Sequence, residues 1–220
     1  MHSSSFNEMR FLLERTLPRL GNGALVLDVG SRVADSTNRS YRTIVEALSL
    51  KYLGLDMVDG LNVDIVPVDP YVFPVESESI DVVISGQVLE HIEYPWLTMQ
   101  EVARVLKPNG YAIIIAPSSG PEHKFPTDCY RYYPDGMKAL GKWCKLNTVL
   151  CLTNWNETEL FMWGDTVAVF KKGESCENEK SNWEKTSVDI DKVRYNRFLL
   201  PLLIKVTKLL VGLLTPFRSR

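Results

Sequence analysis

The chain has 220 residues, of which 45% are hydrophobic and 24% are charged. This composition is typical of an ordinary folded protein and excludes wholesale disorder, and the length predicts one globular domain with a small appendage. The four cysteines show no CxxC spacing, and no export signal precedes them. Neither a zinc ribbon nor a disulfide scaffold is indicated, so we expect reduced thiols in a cytoplasmic protein.

The net charge of −2 conceals two segments of opposite sign. Residues 192–220 contain seven basic and no acidic residues, which leaves 18 basic against 27 acidic residues in the preceding part of the chain. An acidic body argues against general nucleic-acid binding. The basic tail is rich in leucine, which indicates contact with an anionic membrane surface.

The predicted elements begin with a helix close to the N-terminus. Ser5 and Glu8 have the spacing of a capping box, and an apolar stripe with helical spacing follows. The stripe consists of Phe6, Met9, Leu13 and Leu17, ahead of Pro18. We therefore expect a helix that Ser5 caps.

Seven short apolar runs predict β-strands in the next part of the chain. The runs are residues 24–30, 51–56, 62–66, 80–85, 111–117, 145–152 and 166–171. Three of the segments between them are predicted to be helices, at 41–50, at 96–106 and from about residue 134. Apolar strands that alternate with helices predict an open parallel sheet covered on both faces, with ligands beyond the carboxyl ends of the strands.

The composition divides the chain into three parts. They are a domain (residues 1–172), a polar linker (173–191) and a basic amphipathic tail (192–220). The apolar stretch 198–217 is long enough to cross a bilayer, but Lys205 and Lys208 would each cost on the order of 2.5 to 3.5 kcal/mol at its centre. The pattern instead predicts an amphipathic helix on the inner surface of a membrane, on a partner protein or on the domain itself.

The ends of the first two strands have the pattern of a nucleotide site. Gly30 follows the first strand, where it lets the backbone approach a ligand closely, and Asp56 ends the second, where it can accept hydrogen bonds from a ribose diol. The full Gly-x-Gly-x-x-Gly pattern and a Walker loop are both absent, which disfavours NAD and nucleotide-sugar enzymes. S-adenosylmethionine has no phosphate and tolerates this loop.

The stretch FPVESESIDVVISGQVLEHIEYPWLTMQEVARVLKPNGYAIIIAPSSG carries a family resemblance, above all in LEHI and RVLKPNG. The sequence resembles the type 11 group of Rossmann-like S-adenosylmethionine-dependent methyltransferases over roughly residues 23–144. The resemblance implies an α/β fold with a doubly wound, mostly parallel seven-stranded Rossmann-like sheet, followed here by the C-terminal amphipathic helix. It also implies S-adenosylmethionine as the cofactor and methyl transfer as the reaction.

The same resemblance implies which residues bind the cofactor. Asp28 and Gly30 would shape the loop under the methionine portion, together with Ser31 and Arg32. Arg32 and Ala34 replace later glycines of the family's Asp-x-Gly-x-Gly-x-Gly motif.

The remaining cofactor contacts follow later strands. Asp56 would hold the ribose hydroxyls, and Met57 would pack on the adenine. Asp69 is preferred to Asp64 as the acid that meets the adenine amino group, because it comes just beyond the third strand. Gln87, which follows the fourth strand, would lie close to the cofactor.

The loop after the fifth strand carries the candidates for acting on the acceptor. His123 is a plausible general base near neutral pH. Asp128 could orient His123 or bind a sugar hydroxyl, and Arg131 could hold an anionic group. Alternatively, Asp128 and Arg131 form a structural pair that ties the loop to the sheet. The nearby tyrosines Tyr130, Tyr132 and Tyr133 could form a wall of the pocket.

The other histidines are expected to have structural or no roles. His91 would support the loop after the fourth strand from a helix terminus, and His2 is terminal. No metal site is predicted, because the three histidines are scattered along the chain and no acidic pair has ligand spacing.

The sequence therefore predicts a methyltransferase that acts on a small-molecule or glycan-like acceptor, at oxygen. Two alternatives stay open. One is an N-methyltransferase, because a neutral amine needs less help from a base. The other is a non-catalytic scaffold or binding protein that retains the fold, which the altered glycine loop would suit. The sequence names neither the acceptor nor the oligomeric state.

Overall fold

The described residues form four α-helices, six strands and two short 3-10 helices. The protein is seen in a computed structural model that describes residues 3–21, 23–33, 40–155, 164–174 and 183. The helices are α1 (Ser3–Thr16), α2 (Tyr41–Ala47), α3 (Pro95–Val105) and α4 (Pro134–Trp143), with the 3-10 helix at Leu89–His91. A second 3-10 segment, Leu17–Arg19, extends α1. The strands are β1 (Leu25–Val29), β2 (Lys51–Leu55), β3 (Ile80–Gly86), β4 (Leu106–Pro117), β5 (Leu146–Trp155) and β6 (Gly164–Lys172).

The strands form one sheet in the order β2-β1-β3-β4-β6-β5. Neighbouring strands from β2 to β4 are parallel, whereas β6 runs antiparallel to both β4 and β5. The mostly parallel, Rossmann-like α/β sheet predicted from the sequence is confirmed. Because β1 to β4 are parallel, their carboxyl ends lie at one edge of the sheet, and the loops that follow them meet there.

Residues 62–66 differ from the sequence prediction, which made them a strand. Only Ile65 pairs, through a single parallel bridge to Leu55, so the described residues form six strands and not seven. The backbone N–H groups of Asp64 and Ile65 both donate to the Gly54 carbonyl at 2.8 and 2.9 Å. Pro67 follows two residues later and has no N–H to extend a ladder.

Helices cover both faces of the sheet because its strands are apolar on both. Adjacent residues of one strand face opposite sides: Val26 belongs to the core under α1 and α2, and Leu27 to the core under α3 and α4. Met9, Leu12 and Leu13 of α1 are fully buried in the first of these cores. This arrangement is the doubly wound one that continuous apolar strands require.

The start of α1 corrects the capping-box prediction. The helix begins at Ser3, so Ser5 lies inside it, buried, with its hydroxyl 2.7 Å from the Tyr41 hydroxyl. Glu8 bonds with the side chain of Asn154 in β5 instead of returning to Ser5. The side chains of Ser5 and Glu8 therefore bond to residues of other elements, and these bonds attach α1 to α2 and to the end of β5.

The predicted linker and tail fall almost entirely outside the described residues. Their described members are Gly173, Glu174 and Trp183; Trp183 is 1% exposed in the core beneath α1, and the Arg19 guanidinium carbon lies 5.2 Å from its ring centre. The predicted C-terminal amphipathic helix, 198–217, lies outside the described residues. Within the described ranges, none of the helices has both the length and the hydropathy needed to cross a membrane.

Candidate cofactor and acceptor site

The loop after β1 crosses the end of β2 and is closed by backbone contacts. Gly30 has φ 82°, and a Cβ atom there would lie 2.1 Å from Cγ2 of Val88. The N–H groups of Gly30 and Ser31 both donate to the Leu55 carbonyl, at 2.8 and 3.1 Å. Only glycine meets both the positive φ and the close approach to Val88. The backbone conformation and the contact with Val88 therefore require glycine at position 30, the first glycine of the motif.

Asp56 fastens this loop to the end of β2. Its Oδ2 accepts from the Arg32 N–H and its Oδ1 from the Val58 N–H, each at 3.0 Å. A carboxylate oxygen has a second lone pair, so both oxygens can still accept from hydroxyl groups. The Arg32 side chain runs against Gly60, and its guanidinium carbon is 5.5 Å from the centre of the Phe125 ring. Arg32 thus contacts the loop that carries His123.

A buried polar chain supports the loop from below. Asp28 is 2% exposed and accepts a hydrogen bond of 2.6 Å from the Tyr52 hydroxyl. Burial raises the pKa of Asp28 to about 7, and the hydrogen bond from Tyr52 opposes that rise. Asn62 Nδ2 lies 2.8 Å from both the Tyr52 hydroxyl and the Ser31 carbonyl. Sequence analysis missed Tyr52 and Asn62, because a tyrosine within a strand and an asparagine in a loop carry no motif.

The two candidate adenine acids have different surroundings. Asp64 accepts from Arg42 Nη2 at 2.6 Å and from the Gly54 N–H at 2.7 Å. Asp69 is exposed and accepts from the Tyr71 N–H at 2.8 Å, within its own turn. Asp64 is therefore engaged by a cation, whereas Asp69 keeps an accessible carboxylate. Met57, the candidate for packing on adenine, is 59% exposed at the same edge.

Gln87 follows β3 and points towards β6. It adopts φ 61°, its N–H donates to the Ile115 carbonyl at 2.9 Å, and its Nε2 donates to Oδ1 of the buried Asp165 at 2.9 Å. The structure places it at the carboxyl edge with Gly30, which lies at the end of the neighbouring strand.

Two buried acidic residues, Glu8 and Glu90, lie behind this edge, and the sequence analysis did not identify them. Burial, reinforced by repulsion from Asp165, raises the pKa of Glu8 to about 8. Burial also raises the pKa of Glu90 to about 8. Glu90 has 0% exposure, and neither of its carboxylate oxygens has a hydrogen-bond partner among the described residues. Burial thus favours the protonated form of both carboxyls.

Asp128 and Arg131 form a forked ion pair in the loop after β4. Arg131 Nη1 and Nη2 contact Asp128 Oδ1 and Oδ2 at 2.5 and 2.8 Å. The guanidinium holds the pKa of Asp128 well below its usual range. Arg131 also donates to the carbonyls of Tyr130 and Pro121, both at 2.8 Å. These contacts all lie within residues 121–131, so they make a structural pair that holds the loop together instead of tying it to the sheet, and they occupy the guanidinium that could otherwise hold an anion.

The structure brings His91 and His123 together. Their ring centres are 5.1 Å apart with the rings nearly perpendicular. His123 Nδ1 lies 3.6 Å from Asp128 Oδ2, which also accepts from the His123 backbone N–H at 2.7 Å. His91 Nδ1 is 2.6 Å from the Thr127 carbonyl, and Thr127 donates its hydroxyl to the His91 carbonyl at 2.7 Å. His91 thus joins the loop after β3 to the loop after β4, which the sequence did not predict, and it also lies beside His123.

The tyrosines of this loop do not form one wall. Tyr132 is only 6% exposed and donates its hydroxyl to the Leu89 carbonyl at 3.0 Å, beneath the loop. Tyr130 and Tyr133 are exposed, and the Tyr130 hydroxyl donates to the Glu93 carbonyl at 3.0 Å. Tyr132 is therefore a supporting residue, and the prediction that it lines a pocket does not fit its burial.

Comparison with known proteins agrees with this geometry. Residues 27–114 match the family model of a methyltransferase domain. No significantly similar sequence was found among curated proteins.

Solved structures share the fold at low sequence identity. The [4+2]-cyclase SpnF superposes with a TM-score of 0.60 and 15% identity over 77% of this chain and 81% of that chain. A candidate sarcosine dimethylglycine methyltransferase from Galdieria sulphuraria superposes with a TM-score of 0.58 and 15% identity, over 76% of this chain and 86% of that chain. Phosphoethanolamine N-methyltransferase 2 from Haemonchus contortus, solved with S-adenosyl-L-methionine, superposes with a TM-score of 0.54 and 12% identity, over 76% of this chain and 53% of that chain.

The family match begins within β1 and ends within β4, so it contains Asp28, Gly30, Asp56 and Gln87 with the sheet edge that they share. Residues 27–114 are therefore similar to a methyltransferase domain, and the edge that they build is compatible with S-adenosylmethionine as its cofactor.

Proposed function

We propose that the protein transfers the methyl group of S-adenosylmethionine to an oxygen atom of a small-molecule or glycan-like acceptor. The observation that carries this proposal is the position of His123. It stands beside Asp128 in the loop after β4 and against His91, which follows β3, next to the strand end where Gln87 lies. An acceptor between these two loops would face the cofactor edge.

The cofactor assignments belong to the proposal as well. Asp56 would accept from the ribose hydroxyls, while Met57 and Asp69 would meet the adenine. The loop of Asp28, Gly30, Ser31 and Arg32 would lie under the methionine portion, with Gln87 nearby. The closed backbone of this loop and the accessible carboxylate of Asp69 support the assignments.

Methyl transfer to a hydroxyl needs a base as well as alignment. The acceptor oxygen would form a bond to the methyl carbon as the carbon–sulfur bond breaks, and its proton would pass to the His123 imidazole. Asp128 would hold the ring in position and stabilise the imidazolium, while Arg131 keeps Asp128 ionised. Arg131 is thus a positioning residue, and only His123 would touch the reacting groups.

Methylation at nitrogen is the second candidate. The buried carboxylate of Glu90, which has no hydrogen-bond partner among the described residues, would suit an amine that enters as a cation, and two of the similar structures are described as methyltransferases of amines. An amine lone pair needs no base once the nitrogen is neutral. Loss of His123 would then leave turnover nearly unchanged.

The test of the cofactor assignment is calorimetric titration with S-adenosylmethionine and with S-adenosylhomocysteine. Asp56→Ala should weaken binding by roughly 1 to 3 kcal/mol, because it removes a charged acceptor from two hydroxyls. Asp59→Ala, a change of an exposed carboxylate three residues away, is the matched control and should bind as the wild type does.

Asp56 also anchors the Arg32 N–H, so a second variant separates the two roles. Asp56→Asn keeps one acceptor for that N–H and should lose less affinity than Asp56→Ala. Equal affinity in wild type and Asp56→Ala would contradict the ribose assignment. No binding of either compound to the wild type would favour the scaffold alternative.

The tail adds a proposal about location. Its seven basic residues and its apolar stretch 198–217 favour a position on an anionic membrane surface, near a membrane-linked acceptor. Deleting residues 192–220 should abolish sedimentation with vesicles that contain phosphatidylglycerol and leave cofactor binding intact. Aggregation of the truncated protein would instead indicate that the tail covers its own domain.

A further inference from the structure

A carboxylate and two imidazoles converge between the loops that follow β3 and β4. One ligand atom from each of Glu90, His91 and His123 lies within 4.8 Å of the other two. His91 Nε2 is 3.6 Å from Glu90 Oε1. Glu90 and His91 are adjacent, whereas His123 comes much later in the chain, and the parallel pairing of β3 with β4 brings the two loops together.

Hydrogen bonding determines which nitrogen of His91 faces Glu90. The Thr127 carbonyl, 2.6 Å from Nδ1, can only accept, so Nδ1 carries the proton. Nε2 of the neutral ring then presents a lone pair to Glu90. A histidine that donates one N–H to a backbone carbonyl and turns the other nitrogen towards a carboxylate has the orientation of a metal ligand.

The second imidazole has a comparable outer partner. Nδ1 of His123 faces Asp128 Oδ2 at 3.6 Å and the Pro121 carbonyl at 3.4 Å. Carboxylates and carbonyls in this position are common behind metal-bound histidines. Arg131 Nη2 is also 3.4 Å from His123 Nδ1, but its charge is balanced by the forked pair with Asp128.

Glu90 supplies the independent observation. It has 0% exposure, and both of its oxygens lack a hydrogen-bond partner among the described residues. Burying an ionised carboxylate without a hydrogen-bond partner is costly, whereas a cation beside Glu90 would balance its charge and could also take the lone pair that His91 Nε2 presents.

We propose that Glu90, His91 and His123 bind one divalent first-row transition cation. Two imidazoles and one carboxylate suit Zn²⁺, Co²⁺ or Fe²⁺ better than Mg²⁺ or Ca²⁺ and leave coordination positions open. Bound ligands would lie about 3 to 3.5 Å apart, as bond lengths of about 2.0 to 2.2 Å require. To reach these distances, mainly the His123 side chain would move, because it is 38% exposed.

The site has a consequence for methyl transfer that rests on the proposed function. An acceptor hydroxyl in an open position would have a lowered pKa and would release its proton to solvent, and the resulting alkoxide would attack the methyl carbon. The lone pair of His123 would then belong to the cation. The base role of His123 therefore applies to the metal-free protein.

The test is titration of tag-free, EDTA-treated protein with Co²⁺, followed by visible absorption, and then competition with Zn²⁺. The wild type should bind one equivalent with a dissociation constant in the micromolar range or below. Glu90→Gln, His91→Gln and His123→Gln should each weaken binding at least tenfold. Thermal unfolding of each variant shows whether it is folded.

Two controls separate this site from general surface binding. Glu122→Gln removes an exposed carboxylate from the same loop, and Cys129→Ser removes an exposed thiol. Both should bind Co²⁺ as the wild type does. No saturable binding by the wild type, undiminished binding in a folded His91→Gln/His123→Gln protein, or loss of binding in Cys129→Ser would each overturn the proposal.

The proposed cation site and the proposed function can be refuted by different experiments. S-adenosylhomocysteine binding to EDTA-treated protein tests the cofactor site alone and should be unchanged by the cation. A protein that binds S-adenosylhomocysteine but no Co²⁺ would refute only the cation site.

Discussion

The cofactor edge and the acceptor loop of this protein are built in different ways. At the cofactor edge, the backbone N–H groups of Gly30 and Ser31 donate to the Leu55 carbonyl and that of Arg32 donates to Asp56, so the loop is held to the end of β2 by its own backbone. In the acceptor loop, side chains make the structure: Asp128 pairs with Arg131, and His123 stands against His91. The backbone edge can be inferred from motif spacing, whereas the side-chain cluster depends on how two distant loops meet.

This difference predicts that the two regions can be damaged independently. Changes at the cofactor edge should lower cofactor affinity whatever the acceptor is. Changes in the acceptor loop should leave that affinity alone and should affect turnover or local stability.

The largest expected effect is on turnover. Once an acceptor has been found by screening, His123→Ala should lower kcat of EDTA-treated enzyme by roughly 10²- to 10⁴-fold, because a general base contributes about that much. The affinity for S-adenosylhomocysteine should stay within twofold of the wild type. Unchanged kcat would contradict the base role and favour an amine acceptor.

The next effect is on the cofactor edge. Gly30→Ala puts a Cβ 2.1 Å from Val88 Cγ2 at a positive φ and should lower the free energy of unfolding by about 2 to 4 kcal/mol. Cofactor affinity should fall as well, as measured by calorimetry. The matched control is Gly136→Ala in α4, where a Cβ would meet nothing within 4 Å and the unfolding free energy should not fall. Equal stability of Gly30→Ala and wild type would show that the loop adapts.

A somewhat smaller decrease in the free energy of unfolding is expected when the acceptor loop loses its ion pair. Arg131→Ala leaves Asp128, whose side chain is 2% exposed, without its guanidinium and should cost about 1 to 3 kcal/mol in chemical denaturation. Lys138→Ala removes an exposed ion pair with Asp135 and should cost less than about 1 kcal/mol. S-adenosylhomocysteine binding should survive in both variants. Its loss in Arg131→Ala would mean that the two regions are coupled.

The smallest effect depends on pH and concerns Glu8 behind the cofactor edge. Its folded pKa of about 8 lies above the ordinary value of 4.5, so stability is fully present below about pH 4.5 and is lost as the pH rises to about 8. Glu8→Gln removes this loss. The variant should match wild type near pH 4.5 and exceed it at pH 8 by on the order of 1 to 2 kcal/mol in thermal unfolding.

Glu14→Gln on the same helix provides the comparison, because Glu14 is exposed. It should show no such growth of the difference with pH. A Glu8→Gln protein that is less stable than wild type at pH 8 would mean that the ionised carboxylate is stabilising through its bond with Asn154.

The sequence predicted the fold well where one local pattern controlled it. Short apolar runs located six strands, because buried parallel strands are apolar on both faces, and Pro95 to Val105 formed the helix that its spacing indicated. The run at 62–66 was the exception: it is apolar enough for a strand, but Ile65 forms only one bridge. Ser5 likewise had the spacing of a cap and instead bonds to Tyr41 across the core.

By itself, the amino-acid sequence determined the order of strands and helices, the glycine after β1 and the carboxylate after β2, because each of these follows from periodicity or from a short motif. Only the tertiary structure decided that Tyr52 and Asn62 support the cofactor loop, that Tyr132 is buried, and that Glu90 and His91 meet His123. The physical reason is that such contacts depend on which strand ends are neighbours in the sheet. Sequence spacing carries little information about this neighbourhood, and the packing of β3 beside β4 creates it.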